Sequence, residues 1–290
     1  VFNDALRERF ISAFLYRYYG SKGEEAVPAN LTLGQEELDR FTGSYRWVRH
    51  PRSTFGKLLA LIPGPVNVNI RANDDGTLSV GFFGAEVEWR YAQVEPLVFR
   101  QISGGVQGIS GLEFDLGDKL VFRESQFGDI EFAFVPFQSV ALQKVPWYEG
   151  GEAQMGALGI FLITFLSPFL VWPAGKLISR IRKRPQIATS ASRRARVFAL
   201  VVCGLNFVFL LALLLGIGDL SLGVPLLIQI ALILPIATGL LSLPLLVMAC
   251  LAWARGTWSV GGRLYYSLLV LAAGSFIFWA QYWNMMGWQF

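Results

Sequence analysis

Hydrophobic residues follow three different patterns, one after another, along this chain. Residues 1–34 begin with an apolar stripe at helical spacing and end in a segment rich in Gly, Glu, Pro and Asn. Residues 35–148 alternate between apolar and polar positions, which is typical of half-buried strands. Residues 149–290 contain four long apolar runs. The pattern therefore predicts an α+β protein with several domains: a helix and linker, a β domain, and a helical membrane domain.

The β domain is predicted to hold eight or nine short antiparallel strands, with turn signals such as NDDG at 73–76 between them. The candidate strands cover residues 43–49, 65–72, 77–83, 85–91, 97–101, 111–115, 119–124, 130–135 and 139–145. So many short strands in about 110 residues indicate an up-and-down barrel or a sandwich.

Two segments of this domain carry more detailed expectations. In residues 65–72 the apolar side chains alternate with Asn67, Asn69 and Arg71, which predicts one buried face and one polar face. Residues 53–62 are predicted to be a short helix or a loop that caps one mouth of a barrel. Three leucines of this segment would plug that opening: Leu58, Leu59 and Leu61.

The four apolar runs are predicted to be membrane spans, because about 20 helical residues cross a hydrocarbon core of about 30 Å. The predicted spans cover residues 155–174, 197–217, 225–253 and 264–283. The third run is longer than one crossing needs, and Pro235 and Pro244 are placed to kink it. Dividing it would leave halves of only about 14 residues, so we predict one span there.

Basic residues lie mainly in two short segments between these spans. Segment 176–196 has eight basic residues and no acid: Lys176, Arg180, Arg182, Lys183, Arg184, Arg193, Arg194 and Arg196. The second basic segment is bracketed by Arg255 and Arg263, and four spans place both segments on the same side. Short basic loops remain in the cytoplasm. We therefore predict a bacterial inner-membrane protein with a cytoplasmic loop at 176–196 and with the barrel and the C-terminus on the periplasmic or extracellular side.

The net charge of +4 reflects this topology, and we predict the lipid bilayer rather than nucleic acid as a partner. Residues 1–150 have 15 Lys and Arg against 19 Asp and Glu, whereas residues 151–290 have 10 against 2. No charged residue falls at the middle of a span, which argues against an ion or proton pathway. The oligomeric state stays open.

Candidate catalytic chemistry is sparse in this sequence. His50 is the single histidine, and neither S-x-x-K, G-x-S-x-G, a Gly-rich phosphate loop nor His-Glu-x-x-His occurs. Cys203 and Cys250 both lie in apolar runs and indicate neither a disulfide nor a metal site. We therefore predict no catalytic residue, no metal and no cofactor in these 290 residues.

The candidate contact residues of the β domain lie at the end of its first predicted strand and just after it. Four side chains there are candidates for contacts at a barrel mouth: Trp47, Arg49, His50 and Arg52. His50 is alternatively an ordinary loop histidine. The many aromatic residues of the domain either line a ligand cavity or fill a small barrel as its core, and the second interpretation is favoured.

Several stretches in order resemble the C-terminal portion of membrane-bound β-lactamase-related serine hydrolases, a group that includes penicillin-binding-protein-like and esterase-like enzymes. They are FLYRYYG, FTGSYRWVR, NDDGTLSV, YAQVEPLVFR, LQKVPWYE and the tail from LAWARGTWSVGG onward. The resemblance implies a lipocalin-like barrel of about eight strands and a four-helix membrane domain, both following a catalytic domain. It also implies that the helix of residues 1–20 leaves that upstream catalytic domain.

The resemblance implies an accessory role, because the family's S-x-x-K and Lys/His-x-Gly elements have no counterparts here. Tyr282-Trp283-Asn284 has the Tyr-x-Asn spacing, but it follows a predicted membrane span, so we do not assign it to that element. No signal peptide is visible, so an exported barrel implies an export signal upstream of Val1. We therefore expect the non-catalytic C-terminal barrel and membrane anchor of an exported serine hydrolase. The alternative is a membrane-tethered barrel that binds an apolar or lipid-like ligand.

Overall fold

The described chain has a closed eight-stranded antiparallel barrel followed by four long apolar helices, which confirms the predicted fold class. The structure is a computed structural model, and it describes residues 10–11, 13–14, 17, 34–62, 64–84, 88–104, 107–109, 112–114, 116–136, 140–182, 190–216, 224–256 and 258–288. The predicted helix at 1–20 lies almost entirely outside these residues. Those that are described within it, among them Phe10 and Phe14, are helical.

Ten strands are present among the described residues. They are β1 (Gly43–Trp47), β2 (Gly64–Ala72), β3 (Thr77–Phe83), β4 (Glu88–Glu95), β5 (Val98–Ser103), β6 (Gln107–Ile109), β7 (Leu112–Phe114), β8 (Lys119–Glu124), β9 (Ile130–Val135) and β10 (Val140–Lys144). The barrel closes in the order β1-β10-β9-β8-β5-β4-β3-β2. A short helix, α1 (Gln35–Asp39), precedes β1, and a 3-10 helix, Phe55–Leu61, lies between β1 and β2.

Two of the predicted strands are corrected by the structure. The strand predicted at 85–91 is β4, which runs further, to Glu95, because a two-residue turn at Pro96 and Leu97 returns the chain into β5. Leu97 has a φ of 65° in that turn. The strand predicted at 111–115 is β7, and it pairs only with β6 in a separate two-stranded sheet outside the barrel.

Contacts divide the described chain into two compact units that cut across the barrel. The first unit contains Val1–Thr42, Ile70–Val80 and Glu88–Ser139. The second unit contains Gly43–Asn69, Gly81–Val87 and Val140–Phe290. Strands β1 and β10 and the 3-10 helix therefore belong to the same unit as the apolar helices.

Aromatic rings fill the core of the first unit. The ring of Phe41, just after α1, meets those of Phe99 and Phe122 at centroid distances of 5.0 and 4.8 Å. The Tyr91 hydroxyl donates to the Gly117 carbonyl oxygen at 2.9 Å. These contacts agree with the interpretation of the barrel aromatics as core, although Phe134, on β9, is exposed.

The 3-10 helix packs into the hydrophobic core of the second unit rather than serving only as a plug. Phe55, Leu58 and Leu61 are buried in a cluster with residues of the apolar helices, and Leu59 is half-buried. The predicted polar face of β2 is also wrong at Asn67, which is buried. Its amide nitrogen donates to the Ala60 carbonyl oxygen at 2.6 Å, so the 3-10 helix covers this side of the strand.

The described residues after Gly150 form five helices that make four membrane-capable segments. They are α2 (Gly151–Ile181), α3 (Ser190–Gly216), α4 (Leu226–Ala231), α5 (Ile233–Arg255) and α6 (Val260–Tyr282). Helices α4 and α5 together form one segment, Leu226–Arg255, that is long and apolar enough to cross a membrane. Their break at Leu232 has a simple cause, since Pro235 cannot donate an amide hydrogen bond to Ala231.

The predicted loop at 176–196 is wrong in extent, because most of its described residues are helical. Helix α2 continues through Lys176 and Arg180 to Ile181, and α3 already begins at Ser190. Long basic side chains reach water from the end of a membrane helix, so charge in the last turns does not stop the helix. Residues 183–189 lie outside the described part of the chain.

Candidate functional site

The most elaborate polar cluster in the second unit surrounds Arg46 of β1, and we call it the junction cluster. Its members are Arg46, Lys57, Asn67, Glu149, Gln154, Tyr282 and Trp283. It joins barrel strand β1 and the 3-10 helix to the start of α2 and the end of α6. Every member belongs to the second compact unit.

Arg46 is the buried cation of this cluster, with a relative exposure of only 2%. Its Nη1 donates to Glu149 Oε2 at 2.8 Å, and its Nη2 donates to the Glu149 carbonyl oxygen at 2.7 Å. Its Nε donates to Asn67 Oδ1 at 3.1 Å. A buried charge is tolerated only with such partners, so the pair ties β1 to the segment that leads into α2.

The end of α6 closes the cluster from the other side. The Tyr282 hydroxyl donates to Glu149 Oε1, so this carboxylate holds both Arg46 and α6. Lys57 Nζ donates to the Tyr282 carbonyl oxygen at 2.7 Å and lies 3.7 Å from the centre of the Tyr282 ring. The ammonium group thereby satisfies a helix-terminal carbonyl and gains a cation–π contact.

Burial lowers the pKa of Lys57 from its ordinary value, and the positive charge of Arg46 acts in the same direction. The carboxylate of Glu149 opposes this shift. Glu149 therefore stabilises the positive charge of Lys57 as well as that of Arg46.

Gln154 links the first turn of α2 to two tryptophans of the α6 end. Its Oε1 accepts from Trp279 Nε1 at 2.7 Å and from Trp283 Nε1 at 3.1 Å. Indole N–H groups that are partly or fully buried need an acceptor, and here one amide oxygen accepts from both. The Arg46 guanidinium also lies 5.7 Å from the centre of the Trp283 ring.

Asn284 fastens the segment after β1 to the chain beyond α6. Its Nδ2 donates to the carbonyl oxygens of Arg52, at 3.0 Å, and Thr54, at 3.1 Å. Asn284 has a φ of 55°, a left-handed conformation that asparagine tolerates better than most residues. Residues 52–54 are therefore held at the end of a membrane-capable helix.

The four predicted contact residues lie beside the junction cluster and in the same unit. Trp47 ends β1, Arg49 and Arg52 are exposed, and His50 is half-buried. His50 Nδ1 lies 2.5 Å from the Trp47 carbonyl oxygen, and Arg52 Nη2 donates to Gln143 Oε1 at 2.8 Å. Burial lowers the pKa of His50, and the positive charges of Arg46 and Arg52 lower it further.

The residues predicted to set the topology lie at helix ends wherever they are described. Lys176, Arg180 and Arg182 are at the end of α2, and Arg193, Arg194 and Arg196 are in the first two turns of α3. Lys183 and Arg184 lie outside the described residues. Arg255 ends α5, and Arg263, in the first turn of α6, lies 4.8 Å from the centre of the Trp253 ring.

Among the described residues, no group of three or more His, Cys, Asp or Glu side chains is placed to hold a metal ion. The Nδ1 of His50 faces a backbone carbonyl and its charged neighbours are mostly cations, a poor setting for a general base paired with a nucleophile. The site is suited to joining β1 and the 3-10 helix to α2 and α6, and its exposed arginines are suited to binding anions.

The sequence pattern predicted residues next to this cluster but not Arg46 itself. The alternation in β1 places Tyr45 and Arg46 on opposite faces, and both are buried. A strand with an arginine buried on one face needs an acid nearby, and Glu149 is an acid in the short junction before α2. The burial of Arg46 is known only from the structure, so no signal in the sequence pointed to this pair.

Comparisons with known proteins add no identification, since no family model, no curated protein and no solved structure matches this chain.

Proposed function

We propose that this chain is the non-catalytic barrel and membrane anchor of an exported serine hydrolase of the β-lactamase-related type. The junction cluster is the observation that carries the anchoring role. A buried Arg46–Glu149 pair and the Lys57–Tyr282 contact bind the first barrel strand and the 3-10 helix to α2 and α6. These contacts attach β1 and the 3-10 helix to the ends of α2 and α6 within the second unit.

Four long apolar helices support a multi-pass anchor. The proposal places them in a bacterial inner membrane, with residues 176–196 on the cytoplasmic side and the barrel and the C-terminus on the periplasmic side. The excess of basic residues at the helix ends of that loop supports this orientation. The upstream catalytic domain would then lie outside the cytoplasm, beside the barrel.

The class of the catalytic domain rests on the resemblance of the ordered sequence stretches.

The coding sequence upstream of Val1 is the first test. It should encode an S-x-x-K followed by a Tyr-x-Asn within the preceding few hundred residues, together with an export signal. A start codon directly before residue 1 would contradict the proposal.

Activity of residues 1–290 is the second test. The chain purified in detergent should hydrolyse neither a chromogenic cephalosporin, nor a p-nitrophenyl ester, nor a D-alanyl-D-alanine peptide above the detergent blank. Turnover that disappears on His50→Gln, or on one Ser→Ala change, would show that the chain is itself an enzyme.

The described barrel interior does not favour the ligand-binding alternative. The rings of Phe41, Phe99 and Phe122 are buried and contact one another, which supports their role as core. Lipid extracted from the purified barrel in stoichiometric amount would reverse this preference.

A further inference from the structure

The chain from the start of β1 into β2 is basic and contains no acidic residue. Between Gly43 and Asn69 the sequence contains Arg46, Arg49, Arg52 and Lys57 and neither Asp nor Glu. Arg46 is neutralised by Glu149 inside the junction cluster, whereas Arg49 and Arg52 are exposed and Lys57 is half-buried. The exposed side of this segment is therefore cationic.

Contacts within the second unit place this segment at the end of a membrane-capable helix. Asn284 holds the backbone of Arg52 and Thr54, and Lys57 holds the last carbonyl of α6. Helix α6 has 23 residues, and at 1.5 Å per residue it is about as long as a hydrocarbon core of about 30 Å is thick. Its end at Tyr282 therefore lies at the level of the lipid headgroups.

Exposed aromatic side chains mark the same level. Trp147 is 81% exposed and Tyr148 is half exposed, and both directly precede α2. Trp288, beyond the end of α6, is exposed as well. Amphipathic rings favour the boundary between the hydrocarbon and the headgroups, so the cationic segment and the aromatic residues share one interface.

From this arrangement we propose that Arg49, Arg52 and Lys57 bind the phosphate of a phospholipid headgroup, with a preference for anionic phospholipids. Guanidinium groups can donate two parallel hydrogen bonds to phosphate oxygens. Basic side chains are also attracted to the surface of an anionic leaflet. Glu149, the acid of the junction cluster, pairs with Arg46, so Arg49, Arg52 and Lys57 leave an excess of positive charge on this segment. The proposal depends on α6 crossing the bilayer and not on the class of the upstream enzyme.

Photocrosslinking tests this proposal at the site itself, because the basic ends of α2 and α3 also attract anionic lipid. The full chain is reconstituted in phosphatidylcholine vesicles with a trace of phosphatidylglycerol that carries a diazirine at its headgroup, and labelled peptides are mapped by mass spectrometry. We expect labelling within residues 48–57 or 282–288. An excess of unlabelled phosphatidylglycerol should suppress this labelling. The same excess of phosphatidylcholine or of soluble glycerol phosphate should leave it unchanged.

The variant Arg49→Gln/Arg52→Gln should reduce labelling at this site by about tenfold while labelling near 176–196 persists. The matched control, Arg193→Gln/Arg194→Gln, should show the reverse. Both arginine pairs are exposed, so neither change is expected to unfold the chain. Absent labelling of this site in the wild type, unaltered labelling of it in the first variant, or equal suppression by phosphatidylcholine would overturn the proposal. Suppression by glycerol phosphate would replace it with a site for a soluble anion.

Discussion

Arg46 shows how one side chain determines the attachment of a whole barrel strand. It is buried, charged and fully engaged by Glu149 and Asn67. Removing one partner of such a pair costs more than the pair contributes, because the remaining charge stays buried without compensation.

Glu149→Gln should therefore lower the free energy of unfolding by about 2–4 kcal/mol. Thermal unfolding in detergent, followed by tryptophan fluorescence, measures the loss. The matched control is Glu124→Gln, which breaks the Arg40–Glu124 pair, whose side chains are 50% and 36% exposed. Exposed pairs contribute about 0–1 kcal/mol, so equal losses in the two variants would contradict the buried role of Arg46.

Because of His50, the stability of the folded chain should decrease at mildly acidic pH. Its pKa in the folded chain is lower than its ordinary value of 6.5, with burial as the main cause and Arg46 and Arg52 contributing in the same direction, against Glu149 and the Trp47 carbonyl. The unfolded chain therefore binds the proton more readily, and stability is lost as the pH falls below about 6.5.

Unfolding midpoints at about pH 7.5 and about pH 5 test this for the wild type and His50→Gln. The wild type should lose more stability on acidification than the variant, and His50 is the only histidine in the chain. The same change of midpoint in both proteins would mean that His50 does not titrate differently on folding.

At the scale of elements, the start of α2 is fitted closely against a neighbouring strand end. A Cβ atom added at Gly151 would lie 2.5 Å from Phe83 Cδ1, which is too close for any real contact. Phe83 is buried, so its ring cannot move into solvent. The glycine is required for the approach between the two segments.

Gly151→Ala should therefore destabilise the chain by about 1–3 kcal/mol. Gly156→Ala on the same helix is the matched control, because a Cβ atom there meets nothing within 4 Å. Alanine favours a helix over glycine, so the control should be neutral or slightly stabilising. A comparison of unfolding midpoints in detergent decides the matter, and a control as unstable as Gly151→Ala would point to a general effect on the helix.

At the scale of the whole molecule, the orientation of the chain in the membrane is the property to measure. Asp75→Cys, in the β2–β3 turn, and Ser190→Cys, at the start of α3, should be labelled by an impermeant maleimide from opposite sides. Cys203 and Cys250 are replaced by alanine first, because Cys250 is exposed on α5. Labelling of Asp75→Cys only from the cytoplasm would reverse the orientation.

Periodicity alone was enough to predict the classes of structure in this chain. A period of two over residues 35–148 and long apolar runs after residue 150 correctly predicted a barrel and four membrane-capable segments. Local signals also placed the turn before Thr77 and the short helix before β2. These features depend on neighbours in sequence, so a single sequence reveals them.

The boundaries and the site required the tertiary structure. The extent of α2 beyond Lys176, and the separation of β7 from the barrel, depend on which partners each segment finds in space.

The composition and periodicity of the chain determined that it folds as a barrel followed by apolar helices, because burial of alternate or of all side chains follows directly from sequence spacing. Only the tertiary structure decided that the segment after β1 is fastened to the ends of α2 and α6. That attachment depends on Arg46 and Glu149, 103 positions apart, and on Lys57 and Tyr282, 225 positions apart. Sequence spacing contains no information about such pairs, because the closed barrel and the helix packing bring them together.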